Sequence, residues 1–243
     1  MTNHTMFSLM GRKALVTGAS RGLGQAMAIG LAECGADVAI TSRNTSALAE
    51  TADQIRALGR EVVEVKLDVC ETATIEPALI KASDELGGLD TLVNNAGYEE
   101  VRPSLDVDEA LWEKINSTNL KGAFFCAQAA ARLMTKKGTG GSIVNVCSLT
   151  SYVGVPTAVP YGSSKTGLLG MTRALSAEWA SHRIRVNAIA PTVTDTDLAS
   201  KLLRNDRMIE NITERHPLKK YLQPNEVADL ANFLISDKAA SIS

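Results

Sequence analysis

The sequence has no long apolar run and no excess of charge of either sign. Its 243 residues include 25 Lys and Arg against 27 Asp and Glu. No run of Lys and Arg offers an electrostatic footprint for a phosphate backbone, so we exclude nucleic acid as a partner. No stretch reaches the roughly 18 continuous apolar residues of a membrane span, and the N-terminal MTNHTMFSLMGRK lacks the pattern of a secretory signal. We therefore expect no membrane contact and a cytoplasmic location.

Cysteine is scarce and scattered. The four cysteines, Cys34, Cys70, Cys126 and Cys147, do not form the close sequence pairs that zinc sites use. We interpret them as reduced thiols in or near the core. We predict no metal site.

Apolar, β-branched runs alternate with longer segments of helical periodicity. The runs are KALVTG (13–18), DVAITS (37–42), EVVEVKLDV (61–69), LDTLVNNAG (89–97), GSIVNVCS (141–148) and IRVNAIAP (184–191). The segments between them include LGQAMAIGLAECG, SALAETADQIRALG and EALWEKINSTNLKGAFFCAQAAARLM. Such alternation is typical of a parallel sheet with helices on both faces. No linker interrupts it, so we predict one α/β domain over residues 1–243, a doubly wound parallel sheet of the Rossmann type.

A glycine-rich turn follows the first run. TGASRGLG places Gly18, Gly22 and Gly24 between a predicted strand and helix, where backbone N–H groups can approach a pyrophosphate. The segments LDV (67–69) and NNAG (94–97) end two further strands at the edge of the sheet that binds ligands. Their polar residues also suit plain helix caps and turns, and the glycines also suit tight packing alone.

The segment YGSSK places Tyr161 four positions before Lys165. In a helix the two residues lie one turn apart on one face, with about 5 to 6 Å between their Cβ atoms. An ammonium group at that distance can stabilise a phenolate, and a tyrosine tuned in this way exchanges a proton with a substrate oxygen. Ser148 ends the fifth run, thirteen residues before the tyrosine. Taken alone, the pair can be a chance spacing and the serine a turn residue.

In order and approximate spacing, these segments together with Asn119 resemble the short-chain dehydrogenase/reductase family over nearly the whole chain. The resemblance implies an oxidoreductase that interconverts a secondary alcohol and a ketone with NAD or NADP. By resemblance, Tyr161 transfers the proton and Ser148 holds the substrate oxygen. Lys165 contacts the nicotinamide ribose and lowers the pKa of the tyrosine, while Asn119 holds a water that links the lysine to solvent. Donors placed in this way stabilise the charge that hydride transfer builds on oxygen.

The resemblance also implies a set of residues that bind the coenzyme. These are Gly18, Ser20, Arg21, Gly22, Leu23, Gly24, Ser42, Arg43, Asn44, Asp68, Val69, Asn95, Ala96, Gly97, Tyr161, Lys165, Pro191, Val193, Thr194 and Thr196.

The second run indicates which coenzyme is preferred. An acidic residue at its end grips the ribose 2′-hydroxyl of NAD, whereas arginine accommodates the 2′-phosphate of NADP. Here Ser42 stands where the resemblance would place the acid, Arg43 follows it, and Arg21 lies in the glycine turn. Two guanidiniums suit a group with nearly two negative charges. We therefore expect NADP(H) to be preferred and NAD(H) to be possible.

Two features of the C-terminal third depart from the family. Pro191 is followed by Thr192 where the family usually has glycine. Residues 192–215 are nevertheless expected to form the substrate lid of the family. The sequence stops at SDKAASIS, where the family continues into a seventh strand. Without that strand the sheet has an unpaired edge, so we expect a longer natural form, assembled as a homotetramer.

The substrate stays open at this point. The C-terminal third looks most similar to the branch that acts on sugar acids and polyols, of the gluconate 5-dehydrogenase type, but 3-oxoacyl-[acyl-carrier-protein] reductases share nearly every motif. A reductase for an acidic carrier needs a basic docking face, for which the candidates are Arg132, Lys136, Lys137, Arg173 and Arg183. Against an anionic sugar, Glu99 and Glu100 precede a single Arg102 close to the expected pocket. A neutral polyol or ketose is therefore an alternative, and a non-catalytic NADP-binding regulator is a third.

Overall fold

The computed structural model describes residues 7–196, 214 and 216–243. Within these residues the strands are β1 (Lys13–Thr17), β2 (Asp37–Ser42), β3 (Val62–Lys66), β4 (Thr91–Asn94), β5 (Gly141–Val146) and β6 (Ile184–Ile189). The α-helices are α1 (Gly22–Glu33), α2 (Ala49–Ala57), α3 (Thr72–Leu86), α4 (Glu109–Asn116), α5 (Gly122–Lys137), α6 (Val159–Trp179) and α7 (Pro224–Ile235). Most of the expected lid, residues 197–213 and 215, lies outside the described part of the chain.

The six strands form one parallel sheet in the order β3-β2-β1-β4-β5-β6. The predicted single α/β domain with a doubly wound sheet is confirmed. Because β1 pairs with β2 on one side and with β4 on the other, the winding reverses between β1 and β4. Ligands of open α/β sheets bind at such a reversal, outside the carboxyl ends of the strands.

Helices cover both faces of the sheet, and this explains why the strands read as continuous apolar runs. In β1, Ala14 and Val16 pack into the core on the face covered by α1 and α7, while Leu15 packs into the core on the opposite face, under α3 and α5. All three side chains are fully buried. None of the helices in the described ranges is long and apolar enough to cross a bilayer.

The helical pattern that begins at residue 109 is not one continuous helix. A π-helical turn over Ser117–Lys121 separates α4 from α5, and it contains Asn119. The Asn119 side chain accepts the backbone N–H of Tyr98 through Oδ1 at 2.7 Å, and its Nδ2 donates to the carbonyl oxygen of Tyr98 at 3.0 Å. Periodicity of apolar residues does not reveal such a turn, whereas single-turn π-bulges are frequent at functional sites.

Candidate active site

A cavity of about 510 Å³ opens at the carboxyl edge of the sheet, where the winding reverses. Loops that follow all six strands contribute to its wall. Every residue of the predicted catalytic and coenzyme-binding sets lines this cavity except Asn44 and Asn119. The six loops thus bring together residues that are spread over nearly 180 positions of the sequence.

The glycine turn, residues 18–24, lies against the NNAG segment, residues 94–97. Gly18 has φ +67°, and a Cβ at this position would lie 2.9 Å from the Cα of Ala96. Gly24 is helical, but a Cβ there would collide with the carbonyl oxygen of Gly18 and with the Asn95 amide. The glycines therefore let the two segments pack closely as well as leaving backbone exposed to a ligand.

Thr17 and Asn95 connect the same two segments through hydrogen bonds. The Thr17 hydroxyl accepts the N–H groups of Asn95 and Ala96, each at 3.0 Å. In return, Nδ2 of Asn95 donates to the carbonyl oxygens of Thr17 and Gly18, both at 3.0 Å. The Asn95 amide nitrogen is thus committed to the backbone of the turn, while the residue also lines the cavity, and its contact with a coenzyme stays a prediction.

The end of β2 places Ser42 and Arg43 on the cavity wall but not Asn44. The Asn44 carboxamide oxygen instead accepts the backbone N–H of Ser46 at 3.1 Å, and so caps the 3₁₀ turn Thr45–Leu48. Arg43 is exposed, and Arg21 reaches the same cavity from the glycine turn. This end of the cavity therefore carries the guanidinium groups of Arg21 and Arg43, and the end of β2 places no carboxylate there.

Asp68 and Val69 follow β3 and line the cavity beside the NNAG segment. Oδ1 of Asp68 also accepts the N–H of Cys70 at 3.0 Å, which is the cap-like role that its position allowed. Val69 packs so tightly against Gly122 that a Cβ there would lie 2.6 Å from the Val69 carbonyl oxygen. This contact fixes the start of α5 against the part of the wall that Asp68 and Val69 form.

Ser148, Tyr161 and Lys165 meet at the other end of the cavity. Ser148 follows β5, and the other two lie in the first turns of α6. Nζ of Lys165 lies 5.7 Å from the centre of the Tyr161 ring and donates to the carbonyl oxygen of Val146 at 2.6 Å. The Ser148 hydroxyl accepts the N–H of Thr150 at 3.2 Å. The one-turn spacing that the sequence suggested is therefore realised on a helix.

The pKa values of the two partners move in opposite directions. Burial and the nearby Glu99 carboxylate raise the pKa of Tyr161, although a hydrogen bond with Ser148 opposes this. Burial lowers the pKa of Lys165 to about 8, although Cys147 and Glu99 act against it. The predicted net lowering of the tyrosine pKa is not seen, because loss of hydration at the phenol and the charge of Glu99 outweigh the hydrogen bond with Ser148.

Asn119 lies behind the cavity wall rather than on it. Besides its two bonds to Tyr98, its Nδ2 donates to the Ser164 hydroxyl at 3.0 Å. The side chain therefore joins the loop after β4 to helix α6. Its predicted role of holding a water for Lys165 stays a prediction, and the side chain has this structural task as well.

The loop after β6 also lines the cavity. Leu149 donates its N–H to the carbonyl oxygen of Pro191 at 3.0 Å, which ties this loop to the one that carries Ser148. Thr196 reaches the glycine turn, where its Cγ2 lies 3.4 Å from the position of a Cβ on Gly22. Thr192, which replaces the usual glycine, also lines the cavity.

Sequence reasoning missed part of the wall. The missed lining residues are Thr41, Leu67, Cys70, Tyr98, Lys114, Thr118, Val146, Cys147, Leu149, Thr150 and Val155. Glu99 and Thr192, which the sequence placed near the pocket and in the expected lid, also line the cavity. Several of the missed residues adjoin predicted residues at strand ends, so extending each motif by one or two positions would have found them. Lys114 and Thr118 come from the α4 region, and no local pattern marks them. Among the described residues no group of three or more His, Cys, Asp or Glu side chains is arranged to hold a metal ion.

Comparison with known proteins places this geometry in a family. The family model described as Enoyl-(Acyl carrier protein) reductase matches residues 18–243, almost the whole chain. The chain belongs to the short-chain dehydrogenase/reductase family. It is an oxidoreductase of this family, and the resemblance drawn from the sequence motifs is confirmed.

Two curated members of the family illustrate the range of its substrates. The 2-dehydro-3-deoxy-D-gluconate 5-dehydrogenase of Escherichia coli (strain K12) is 38% identical over 230 residues, which cover 95% of this chain and 90% of that protein. The 3-oxoacyl-[acyl-carrier-protein] reductase of Staphylococcus aureus (strain Mu50) is 34% identical over 235 residues, covering 96% of this chain and 94% of that one.

Solved structures of the family match the fold closely. A provisionally named short-chain alcohol dehydrogenase from Sinorhizobium meliloti 1021 is 54% identical, with a TM-score of 0.96 over 98% of this chain and 94% of that chain. A gluconate 5-dehydrogenase from Burkholderia cenocepacia J2315, in complex with NADP and tartrate, is 34% identical. Its TM-score is 0.94, with 98% of this chain and 92% of that chain covered.

Proposed function

We propose that the protein is an NADP(H)-dependent oxidoreductase that interconverts a secondary alcohol and a ketone on a small sugar derivative, namely a sugar acid, a polyol or a ketose. The observation that carries the proposal is the arrangement of Ser148, Tyr161 and Lys165 at one end of a cavity whose other end is a glycine turn. The Escherichia coli and Burkholderia relatives, which are named for gluconate derivatives, support the substrate class.

The cavity has the features that a dinucleotide needs. The glycine turn would present backbone N–H groups to the pyrophosphate at the start of α1, and Asp68 and Val69 would hold the adenine. A Cβ at Gly18 would meet the NNAG segment, so the cradle depends on glycine there. When bound, the nicotinamide supplies or accepts the hydride. The loop that contains Val193, Thr194 and Thr196 also lines the cavity, and its two threonines place hydroxyl groups there.

Arg21 and Arg43 support NADP as the preferred coenzyme. Both line the cavity at the end where the 2′-phosphate would lie, and β2 contributes no carboxylate there. Guanidinium groups match the fork of phosphate oxygens and form charge-assisted hydrogen bonds with them. The NADP bound by the Burkholderia relative agrees with this assignment.

At the reacting end, Tyr161 acts as the proton donor when a ketone is reduced. The phenol carries its proton at neutral pH and would give it to the carbonyl oxygen, which gains negative charge as the hydride adds to the carbonyl carbon. Ser148 donates to the same oxygen and fixes its position. Lys165 has its cation directly behind the ring, where it stabilises the phenolate that proton transfer leaves.

Reduction of a 3-oxoacyl thioester on a carrier protein is the second candidate, because the Staphylococcus aureus relative is named for it. Its docking face is weaker than the sequence suggested. Arg132 pairs with both carboxylate oxygens of Glu76, at 3.1 and 3.0 Å, and Arg183 donates to the carbonyl oxygen of Gly138. Two of the five candidate cations are therefore engaged within the protein.

A substrate panel tests the proposal. Polyols, ketoses, sugar acids and an acetoacetyl thioester are each incubated with NADP(H) and with NAD(H), and nicotinamide absorbance is followed. We expect turnover of at least one sugar derivative with NADP(H), and a kcat/KM for the thioester at least about tenfold lower. Turnover of the thioester alone would establish the second candidate instead.

We further propose that the protein is a cytoplasmic homotetramer, as is common in the family. Apolar side chains on the surface near α4 support self-association: Val101, Leu105 and Trp112 are exposed by 62%, 98% and 39%. Light scattering with in-line size exclusion tests the assembly, and a monodisperse monomer would contradict it.

A further inference from the structure

Glu99 places a carboxylate in the reacting end of the cavity. It lies two residues beyond the NNAG segment, is half-buried, and lines the same wall as Tyr161 and Lys165. Among the described residues it has no hydrogen-bond or ion-pair partner, whereas the adjacent Glu100 accepts the Tyr98 hydroxyl at 2.7 Å and Arg102 at 2.6 Å. A carboxylate without a partner inside a cavity is available to a ligand.

The only arginine of this loop is not available to balance that charge. Nη2 of Arg102 pairs with Glu100 at 2.6 Å, and Nη1 pairs with Asp108 at 2.8 Å. Arg102 is also not part of the described cavity wall. Its guanidinium is thus neutralised by two carboxylates outside the cavity and does not offer a site for an acidic substrate.

The backbone on both sides of Glu99 is fixed. Asn119 holds the N–H and the carbonyl oxygen of Tyr98, the preceding residue. Three positions after Glu99, the N–H of Arg102 donates to the carbonyl oxygen of Thr157 at 2.8 Å. The loop is therefore tied to the π-helical turn and to the segment before α6, so the position of the carboxylate is built into the fold.

Besides Glu99, the ionisable side chains that line the cavity near Tyr161 include Tyr98, Lys114, Cys147 and Lys165. Burial raises the pKa of the Glu99 carboxyl, and the charge of Lys165, the cation that acts on it, partly opposes this. Lys114 stacks on the Tyr98 ring, with Nζ 3.8 Å from the ring centre. Glu99 therefore offsets the positive charge of Lys165, which would otherwise attract an anionic substrate.

We propose that Glu99 is a specificity-determining residue that accepts hydrogen bonds from substrate hydroxyl groups and disfavours a carboxylate, so that neutral polyols and ketoses are preferred over sugar acids. The inference rests on the proposed function and narrows its substrate class. An ionised carboxylate is an acceptor only, which matches the hydroxyl donors of a polyol. The same group repels a substrate carboxylate brought beside it in a partly desolvated cavity.

Matched pairs of substrates provide the test. D-Sorbitol and D-gluconate share their hydroxyl configuration and differ only at C1, and galactitol with galactonate and xylitol with xylonate extend the series. We expect wild type with NADP⁺ to favour the neutral member by about tenfold or more in kcat/KM. Glu99→Gln should raise kcat/KM for the acid by about tenfold, through KM, and lower it for the polyol. Glu109→Gln is the matched control, since it removes the same charge at an exposed position outside the cavity wall and should leave the acid-to-polyol ratio of kcat/KM within about twofold.

Binding measurements separate failure of this inference from failure of the proposed function. If no pair is turned over, the substrate class is wrong, and the charge preference is then judged by calorimetry on the NADP⁺-loaded protein with L-tartrate and L-threitol. Glu99→Gln should tighten tartrate by about fivefold or more and leave threitol no tighter. A wild-type preference for the acids would overturn the role of Glu99. So would a Glu99→Gln variant that leaves the acid-to-polyol ratio unchanged, whether this ratio is measured as kcat/KM or as the affinity for tartrate and threitol.

Discussion

Nζ of Lys165 donates a hydrogen bond of 2.6 Å to the carbonyl oxygen of Val146, the last residue of β5. A second bond runs beside it, in which the Ser151 hydroxyl donates to the carbonyl oxygen of Lys165 at 2.9 Å. Together they clamp the helix that carries Tyr161 to the strand and loop that carry Ser148. The distance between the proposed acid and its serine partner is therefore set by buried polar contacts between two regular elements, a rigid arrangement that suits catalysis.

Replacing Tyr161 with Phe tests the proton donor. The ring still packs, but the hydroxyl is lost, so kcat should fall by about 10²- to 10⁴-fold while coenzyme affinity is nearly unchanged. Steady-state kinetics and a titration with NADPH, followed by its fluorescence, measure the two quantities. Tyr152→Phe is the control, because Tyr152 is 64% exposed and does not line the cavity. Turnover of Tyr161→Phe within about threefold of wild type would remove Tyr161 from the mechanism.

Replacing Arg43 with Asp tests the coenzyme preference. Wild type should bind NADPH more tightly than NADH, and the substitution should reverse the order, because attraction to the 2′-phosphate becomes repulsion. We expect each affinity to change by about tenfold, and the effect to weaken as ionic strength rises. Arg173→Asp makes the same change of charge at an exposed site of α6 away from the cavity and should alter neither affinity. Equal dissociation constants of the two coenzymes in wild type would show that Arg43 does not recognise the phosphate.

The sequence was sufficient to predict the sheet, its helices and most of the cavity wall. Short apolar strands alternate regularly with helices, and every strand predicted in this way is present. The ligand edge then follows from topology, because parallel strands all end on the same side. Motifs at those ends, such as Ser148 and the NNAG segment, therefore had to meet.

What the sequence did not reveal depends on contacts between distant segments. The direction of the Tyr161 pKa shift depends on how deeply the phenol is buried and on Glu99, which approaches it from another loop. Asn44 was predicted at the coenzyme, but its side chain is used by the local 3₁₀ turn. The π-helical turn at Asn119 is bonded to Tyr98, 21 positions earlier, a contact that no helical periodicity records.

Two helical glycines should respond in opposite directions to alanine. A Cβ on Gly24 would collide with the backbone of Gly18, so Gly24→Ala should destabilise the protein by about 1 to 3 kcal/mol and weaken NADPH binding. Gly170, in α6, has nothing within 4 Å of that position, so Gly170→Ala should stabilise the protein by about 0.5 to 1 kcal/mol. Urea unfolding measures both. Equal effects of the two substitutions would contradict the proposed contact between the glycine turn and the NNAG segment.

Lys165 should make stability depend on pH in a defined direction. Its pKa is lowered from 10.5 to about 8 by burial, so between these values the unfolded chain binds a proton that the folded chain does not. The free energy of unfolding therefore rises with pH in this window, by at most about 1.4 kcal/mol per pH unit, and below it the full penalty of the buried cation is present.

Lys165→Met lacks this titration and leaves the Val146 carbonyl without its partner at every pH. The stability of wild type relative to Lys165→Met should thus increase between about pH 8 and pH 9.5 but not between about pH 6.5 and pH 7.5, as measured by urea unfolding. Lys136→Met, at an exposed position near the end of α5, should show no such trend. A difference between wild type and Lys165→Met that stays constant across the window would mean that Lys165 keeps an ordinary pKa in the folded protein.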